Sequence, residues 1–177
     1  MTTSAPGQLS PRAREIVAAA RELLEQEGPE GLSMRKVAAR LGIQAPSLYK
    51  HLPDKQALEA AVISTGFEEQ AVLAERALSD PDPLGALAAA YRSYALEHPH
   101  LYRLMTERPL NRDQLTPGAE QRAAAPVVEA AGGDGDLARA FWAFAHGMTI
   151  LELNRRFPDD ADLDAAWQRG LQAFRAD

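Results

Sequence analysis

The sequence predicts an all-α protein of about nine helices. Three observations carry that prediction. Apolar residues recur three and four positions apart in almost every segment, the spacing that places them on one side of a helix. No run of four or more alternating residues rich in Val, Ile or Thr offers a strand. The periodic segments are separated by pairs such as Ser10-Pro11, Asp82-Pro83 and Thr116-Pro117, in which a capping oxygen precedes the residue best suited to a first helical turn.

Residues 1–9 are small and polar and are expected to form a disordered tail. Ser10 and Pro11 open a first helix, which runs through Ile16, Ala20, Leu23 and Leu24 to about Glu27 and is broken by GPEG at 28–31. Ser33 caps a short second helix with Met34, Val37, Ala38 and Leu41 on its apolar side. Gly42 is placed to end it in a left-handed conformation. Gln44 opens a third helix, where Pro46 is tolerated because first-turn N–H groups have no intrahelical partner. Leu48 and Leu52 point inward, Pro53 ends the helix, and Asp54 caps a long fourth one to about Leu78. SDPDPLG at 79–85 leads into a fifth helix through Leu84, Leu87, Ala88, Tyr91 and Ala95. EHPH at 97–100 marks a boundary, LYRLMTER makes a short sixth helix, and residues 108–118 form a loop. Thr116-Pro117 starts a seventh helix that ends at Gly132-Gly133, and Asp134 or Asp136 caps an eighth to about Arg156. Pro158 and the acids of 159–164 start a ninth, with Leu163, Trp167, Gly170, Leu171 and Phe174 on one stripe.

A chain of 177 residues, 46% of them hydrophobic, is long enough for one or two small domains with a core. No apolar run approaches the length of about 18 residues that a membrane span needs. MTTSAPGQLSPRAR lacks the apolar stretch of a signal peptide, so export is not expected. Cysteine is absent, which excludes disulfides and thiol chemistry and fits a cytoplasmic location. Arg outnumbers Lys 16 to 3 and Ala is abundant, a composition expected of a bacterium with a GC-rich genome.

The net charge is -6, which alone argues against a polyanionic partner. Its distribution argues the reverse. Residues 35–55 hold Arg35, Lys36, Arg40, Lys50 and Lys55 against the single acid Asp54, whereas residues 61–177 hold 11 basic and 18 acidic residues. A basic patch on an acidic body predicts one anion-binding face.

Helix, short turn with glycine, helix is the signature of a helix-turn-helix. GLSMRKVAARLGIQAPSLYKHLPDKQAL at 31–58, preceded by AAARELLEQEG, resembles the DNA-binding part of the TetR family of transcriptional regulators. Two departures stand out: Leu52 replaces the usual aromatic, and Gln44 replaces the common Ser or Thr cap. The resemblance covers about the first 60 residues. It implies an N-terminal three-helix DNA-binding domain, read here as 10–56, and a C-terminal helical effector-binding and dimerisation domain at 57–177. WAFAHGMTILELNRRFP at 142–158 further resembles a TetR subgroup named for a Trp-His-Gly signature, carried here by Trp142, His146 and Gly147.

In such a motif the early residues of the second helix face base edges in the major groove. Those residues are Gln44, Ala45, Pro46 and Ser47. Gln pairs bidentately with adenine, and Ala45 or Pro46 packs on a thymine methyl. Tyr49 and Lys50 project away from Leu48 and Leu52, and the resemblance gives Tyr49, Lys50 and His51 contacts mainly to phosphates. Lys55 adds its charge to the free N–H groups of its helical turn, and Ser33 and Arg35 are placed to grip neighbouring phosphates. Plainer readings stay open: Ser33 as a helix cap, Tyr49 as a cover for the core, Arg35 and Arg40 as solvated surface.

One helix-turn-helix binds weakly, so two linked about one helical turn apart are expected, reading a palindrome. The eighth helix is apolar nearly all round and needs cover on two faces. Trp142, Ile150 and Leu153, with Trp167, Leu171 and Phe174 of the ninth, are the expected homodimer interface. The resemblance implies a four-helix bundle made from these two helices of both chains. Phe67, Tyr91, Tyr94, Tyr102, Met105, Phe141 and His146 are candidates to line a pocket for a small hydrophobic or amphipathic effector. They equally suit a packed core, in which case the protein binds DNA without an effector. A metal site at EHPH is not expected, since nothing places a third ligand. No nucleophile motif, glycine-rich phosphate loop or zinc motif is present, so neither an enzyme nor a cofactor is expected. The expected function is a dimeric repressor released from a palindromic DNA operator by an effector.

Overall fold

The structure, a computed structural model, describes residues 9–175. The tail expected over 1–9 lies, Leu9 apart, outside them. The described residues form nine α-helices and no strand: α1 (Pro11–Glu27), α2 (Met34–Arg40), α3 (Ala45–Leu48), α4 (Lys55–Ala77), α5 (Pro83–Glu97), α6 (Pro99–Thr106), α7 (Ala119–Ala130), α8 (Gly135–Leu153) and α9 (Leu163–Leu171). The all-α expectation is met.

The helix starts follow from local chemistry. The Ser10 hydroxyl accepts from Ala13 N at 3.1 Å, and Ser33 accepts from Lys36 N at 3.3 Å. Asp54 accepts from Ala57 N at 2.7 Å, and Asp134 from Leu137 N at 3.0 Å. Each satisfies an N–H that has no intrahelical acceptor. Five helices differ from expectation at their bounds, α6 among them, since it runs from Pro99 to Thr106 rather than over LYRLMTER. α3 keeps regular geometry only to Leu48, and hydrogen-bonded turns continue it: His51 N and Leu52 N both donate to Leu48 O, at 2.8 and 2.9 Å. Pro53 disfavours helical geometry in Leu52 before it, so the helical stretch goes no further. α7 begins at Ala119, and α9 begins at Leu163 with Asp162 as its cap. α8 closes at Leu153, with Asn154 as its C-cap and Arg156 N returning to Leu151 O at 2.9 Å.

Packing groups the chain into two compact units. One holds the residues up to Phe67 together with His98–Ala119; the other holds Glu68–Glu97 and Glu120–Asp177. α4 supplies residues to both. In the first unit, Ile16, Leu24, Val37, Leu48, Leu58 and Val62 are fully buried. α6 joins this core through Leu101 and Tyr102, and its Leu101 N donates to Glu25 of α1 at 3.0 Å. The loop after α6 contains a 3-10 turn at Arg112–Gln114, and Thr116 N donates to the buried Ser64 hydroxyl of α4 at 2.9 Å. In the second unit, Leu84, Leu87 and Ala88 of α5 pack with Phe141 and Ala145 of α8 and with Trp167 and Leu171 of α9.

Candidate nucleic-acid interface

The helix-turn-helix is built so that a few apolar side chains hold it and the rest face out. Leu48 and Leu52 are buried, which turns Tyr49, Lys50 and His51 to the exterior. Tyr49 is 50% exposed, so half of its surface is open to a partner. Gln44 is exposed and stands at the N-cap position of α3, yet its side chain makes no capping bond. Its amide is therefore uncommitted, with two donors and an acceptor to present. Pro46 is exposed, and Ala45 and Ser47 are half-buried.

Ser33 is half-buried and serves as the α2 cap. Capping uses an oxygen lone pair and leaves the O–H free to donate. Its two readings are thus compatible. Arg35 is exposed and has no ion pair with any described residue. Lys55 opens α4, exposed, with its Nζ 3.4 Å from Glu59. The remaining cations of the patch are engaged elsewhere: Lys36 Nζ lies 2.7 Å from Glu27 and Arg40 Nη2 lies 2.8 Å from Glu22, both acids of α1. The positive patch seen in the sequence therefore reduces to Arg35, Lys50 and Lys55, with His51 and Tyr49 beside Lys50.

The other candidate residues lie as follows. Phe67, Tyr102 and Met105 belong to the first unit, where Tyr102 and Met105 are buried. Tyr91, Tyr94, Phe141 and His146 belong to the second. The Tyr94 hydroxyl donates to Glu69 at 2.8 Å, Tyr91 and Phe141 share one core cluster, and His146 stacks on Trp142 at 5.9 Å between ring centres. An open groove in the same unit is lined by Leu73, Arg76, Ala77, Asp80, Ala86 and Ala90 among others, none of them a predicted effector residue. Trp142 is 51% exposed and Ile150 and Leu153 are half-buried, whereas Trp167 and Leu171 are buried in the chain's own core, with Phe174 packed against it.

Sequence reasoning did not single out Arg92. Its guanidinium grips Glu152 of α8 with two bonds of 2.8 Å, reaches Asp164 of α9 at 2.6 Å, and lies 6.0 Å over the Trp167 ring. A lone Arg amid the apolar residues of α5 was the one available signal.

A helix-turn-helix preceding an all-helical remainder in the sequence points to the class of DNA-binding regulators. Comparison with known proteins gives the family. The family model for bacterial regulatory proteins of the tetR family matches residues 16–62, and that for the Tetracyclin repressor-like C-terminal domain matches residues 84–174. An uncharacterized HTH-type transcriptional regulator, Rv0681 of Mycobacterium tuberculosis, is 34% identical over 173 residues, covering 92% of this chain and 78% of that one. A protein of unknown function from Rhodococcus sp. RHA1 is similar in structure, with a TM-score of 0.77, 28% identity and 97% of each chain covered. The multidrug binding protein EbrR, complexed with imidazole, gives a TM-score of 0.68 at 26% identity, over 99% of this chain and 98% of that one. The chain belongs to the TetR family of bacterial regulatory proteins. It is a DNA-binding transcriptional regulator and not an enzyme. No helix among the described residues is long and apolar enough to cross a membrane.

Proposed function

We propose that the protein is a homodimeric repressor that reads a palindromic operator and leaves it when a small organic effector binds the C-terminal part. The observation that carries the DNA-reading half is the uncommitted amide of Gln44 at the exposed start of α3. Residues 10–56 are the DNA-binding domain and 57–177 the effector and dimerisation domain. Ser33, Arg35, Tyr49, Lys50, His51 and Lys55 hold phosphates, while Gln44 to Ser47 meet base edges.

Dimerisation is supported by the exposed side chain of Trp142 on α8. Leu153, eleven positions on and half-buried, falls on the same side of the helix as Trp142, and large apolar side chains left exposed on one helix face mark an interaction site. Trp142, His146 and Gly147 on that helix support the Trp-His-Gly subgroup reading. For the effector, the second unit gathers Tyr91, Tyr94, Phe141 and His146, groups with apolar bodies and polar tips, and the similar EbrR is a multidrug binding protein. The deep burial of Phe141 and Tyr94 favours a second reading, in which they fill a core and no effector exists.

Selection of bound sites from random DNA tests the first half. Two inverted half-sites spaced about one helical turn apart are expected, and Gln44→Ala relaxes the preference at one position of each half-site. Recovery of unrelated sequences removes operator reading, and an unaltered profile in the variant removes Gln44 from it. A metabolite panel scored by thermal shift separates the two effector readings: stabilisation by a small hydrophobe supports the pocket, and none across the panel supports the filled core.

A further inference from the structure

Lys36 and Arg40 are four residues apart and so share one side of α2, the side toward α1. There each meets a carboxylate, Lys36 that of Glu27 and Arg40 that of Glu22. Arg35 lies about 100° further round the helix and meets none. We propose that Glu22 and Glu27 are specificity-determining residues for DNA binding: they hold two cations of the helix-turn-helix on the α1–α2 seam and thereby suppress sequence-independent binding.

The inference rests on the chain's being a DNA-binding regulator and goes beyond which residues touch the duplex. Sequence-independent binding is almost wholly electrostatic, and it grows with the number of phosphates neutralised. In an operator complex the base contacts of α3 fix the head's orientation. On random DNA the head samples orientations, and any free cation of the patch finds a phosphate. An exposed ion pair by itself is weak. The side chains here are between 38% and 57% exposed, so pairing alone does not lock them. The stronger effect is what transfer leaves behind. A cation that moves to a phosphate abandons a carboxylate beside a polyanion, so the exchange is opposed twice. Glu22 and Glu27 thus withdraw Lys36 and Arg40 from the patch and leave Arg35, Lys50 and Lys55, the last beside Glu59, at no expense to Gln44, Lys50 or His51.

The test uses the full chain. Binding to a random-sequence duplex is measured between about 50 and 200 mM salt for Glu22→Gln, Glu27→Gln and Glu30→Gln. Glu30 is an exposed acid of the 3-10 turn after α1 with no ion pair to a described residue, so its variant makes the same charge change and frees no cation. Glu22→Gln and Glu27→Gln are expected to bind random DNA more tightly at low salt. Each is expected to steepen the log–log slope by about 0.9, which is about a 3.5-fold greater loss of affinity over that range. The ratio of operator to random affinity falls in both, and adding Lys36→Gln to Glu27→Gln returns the slope to its starting value. Slopes that stay at the parent value, or that steepen equally in Glu30→Gln, overturn the proposal. So does an equal gain on operator and random DNA. If the parent protein binds no DNA at all, the underlying reading fails instead, and the two failures are told apart in the first titration.

Discussion

Arg92 joins three helices with one side chain. It sits on α5, and its planar fork meets the Glu152 carboxylate with two parallel bonds while the third nitrogen reaches Asp164. Charge-assisted, bidentate bonds of this kind are the strong class of protein hydrogen bond. The guanidinium pKa is raised above its ordinary value, first by the Glu152 bond and then by Asp164, against the opposing effect of burial. A raised value in the folded state stabilises at every pH below the unfolded pKa and is lost only as pH passes the folded one. Both lie far above neutrality, so the Arg92 contribution is constant across the physiological range. Arg92→Ala leaves Glu152 partly buried without its partner and lowers stability by about 2 kcal/mol. Arg92→Lys keeps the charge, loses the fork, and falls between. Urea unfolding at two pH values checks both statements; a loss below about 0.5 kcal/mol removes the clamp role. Such a clamp cannot be read from sequence, because its partners stand 60 and 72 positions away. The caps at Ser10, Ser33 and Asp54 can, because donor and acceptor lie three residues apart.

Among the elements, the turn between α2 and α3 decides how the reading helix is presented. Gly42 holds it at φ 65°, a left-handed conformation, and a Cβ there meets nothing within 4 Å. Gly42→Ala therefore tests backbone strain without a steric clash. It is expected to destabilise the protein by about 1 kcal/mol and to weaken operator binding more than random binding, since α3 loses its alignment first. Denaturant titration and paired binding curves measure this; unchanged stability shows that the turn tolerates a side chain. The glycine was legible because only the left-handed region closes a helix into so short a turn. The shortness of α3 was less so. Its apolar spacing, Leu48 to Leu52, fits a full helical turn, and the tightening before Pro53 is set by hydrogen bonds that spacing does not reveal. The burial of Trp167 and Leu171 was likewise hidden. An apolar stripe on α9 states that one face is covered, not whether the same chain covers it. Here Phe144 meets Trp167 edge-on at 5.3 Å, and a Cβ at Gly170 would overlap the Phe144 ring, so α8 and α9 approach closely within one chain.

For the whole molecule the proposed dimer raises the question of what would hold two heads together. Arg35, Lys50 and Lys55, the last already beside Glu59, and one amide would give a single head little affinity, and the acidic remainder of the chain repels DNA. A second head at fixed separation converts the second binding event into an intramolecular one, worth about 10²- to 10⁴-fold in affinity without any new contact. The face that would hold two chains together is the exposed side of α8, where Trp142 stacks on His146. Trp142 is half exposed, and it is not a member of the core cluster that α5, α8 and α9 share. Trp142→Glu is therefore expected to leave the helix content of each chain nearly unchanged, because the substitution falls on an exposed position. Across a two-fold interface it places two carboxylates close together in an apolar seam, which opposes association. Sedimentation velocity should then show a monomer, and operator affinity should fall by about 100-fold or more. The salt slope on random DNA, set by each head separately, should keep its value per head. A variant that still sediments as a dimer moves the interface off this face of α8. One that becomes monomeric yet binds its operator undiminished shows that two heads were never linked in recognition.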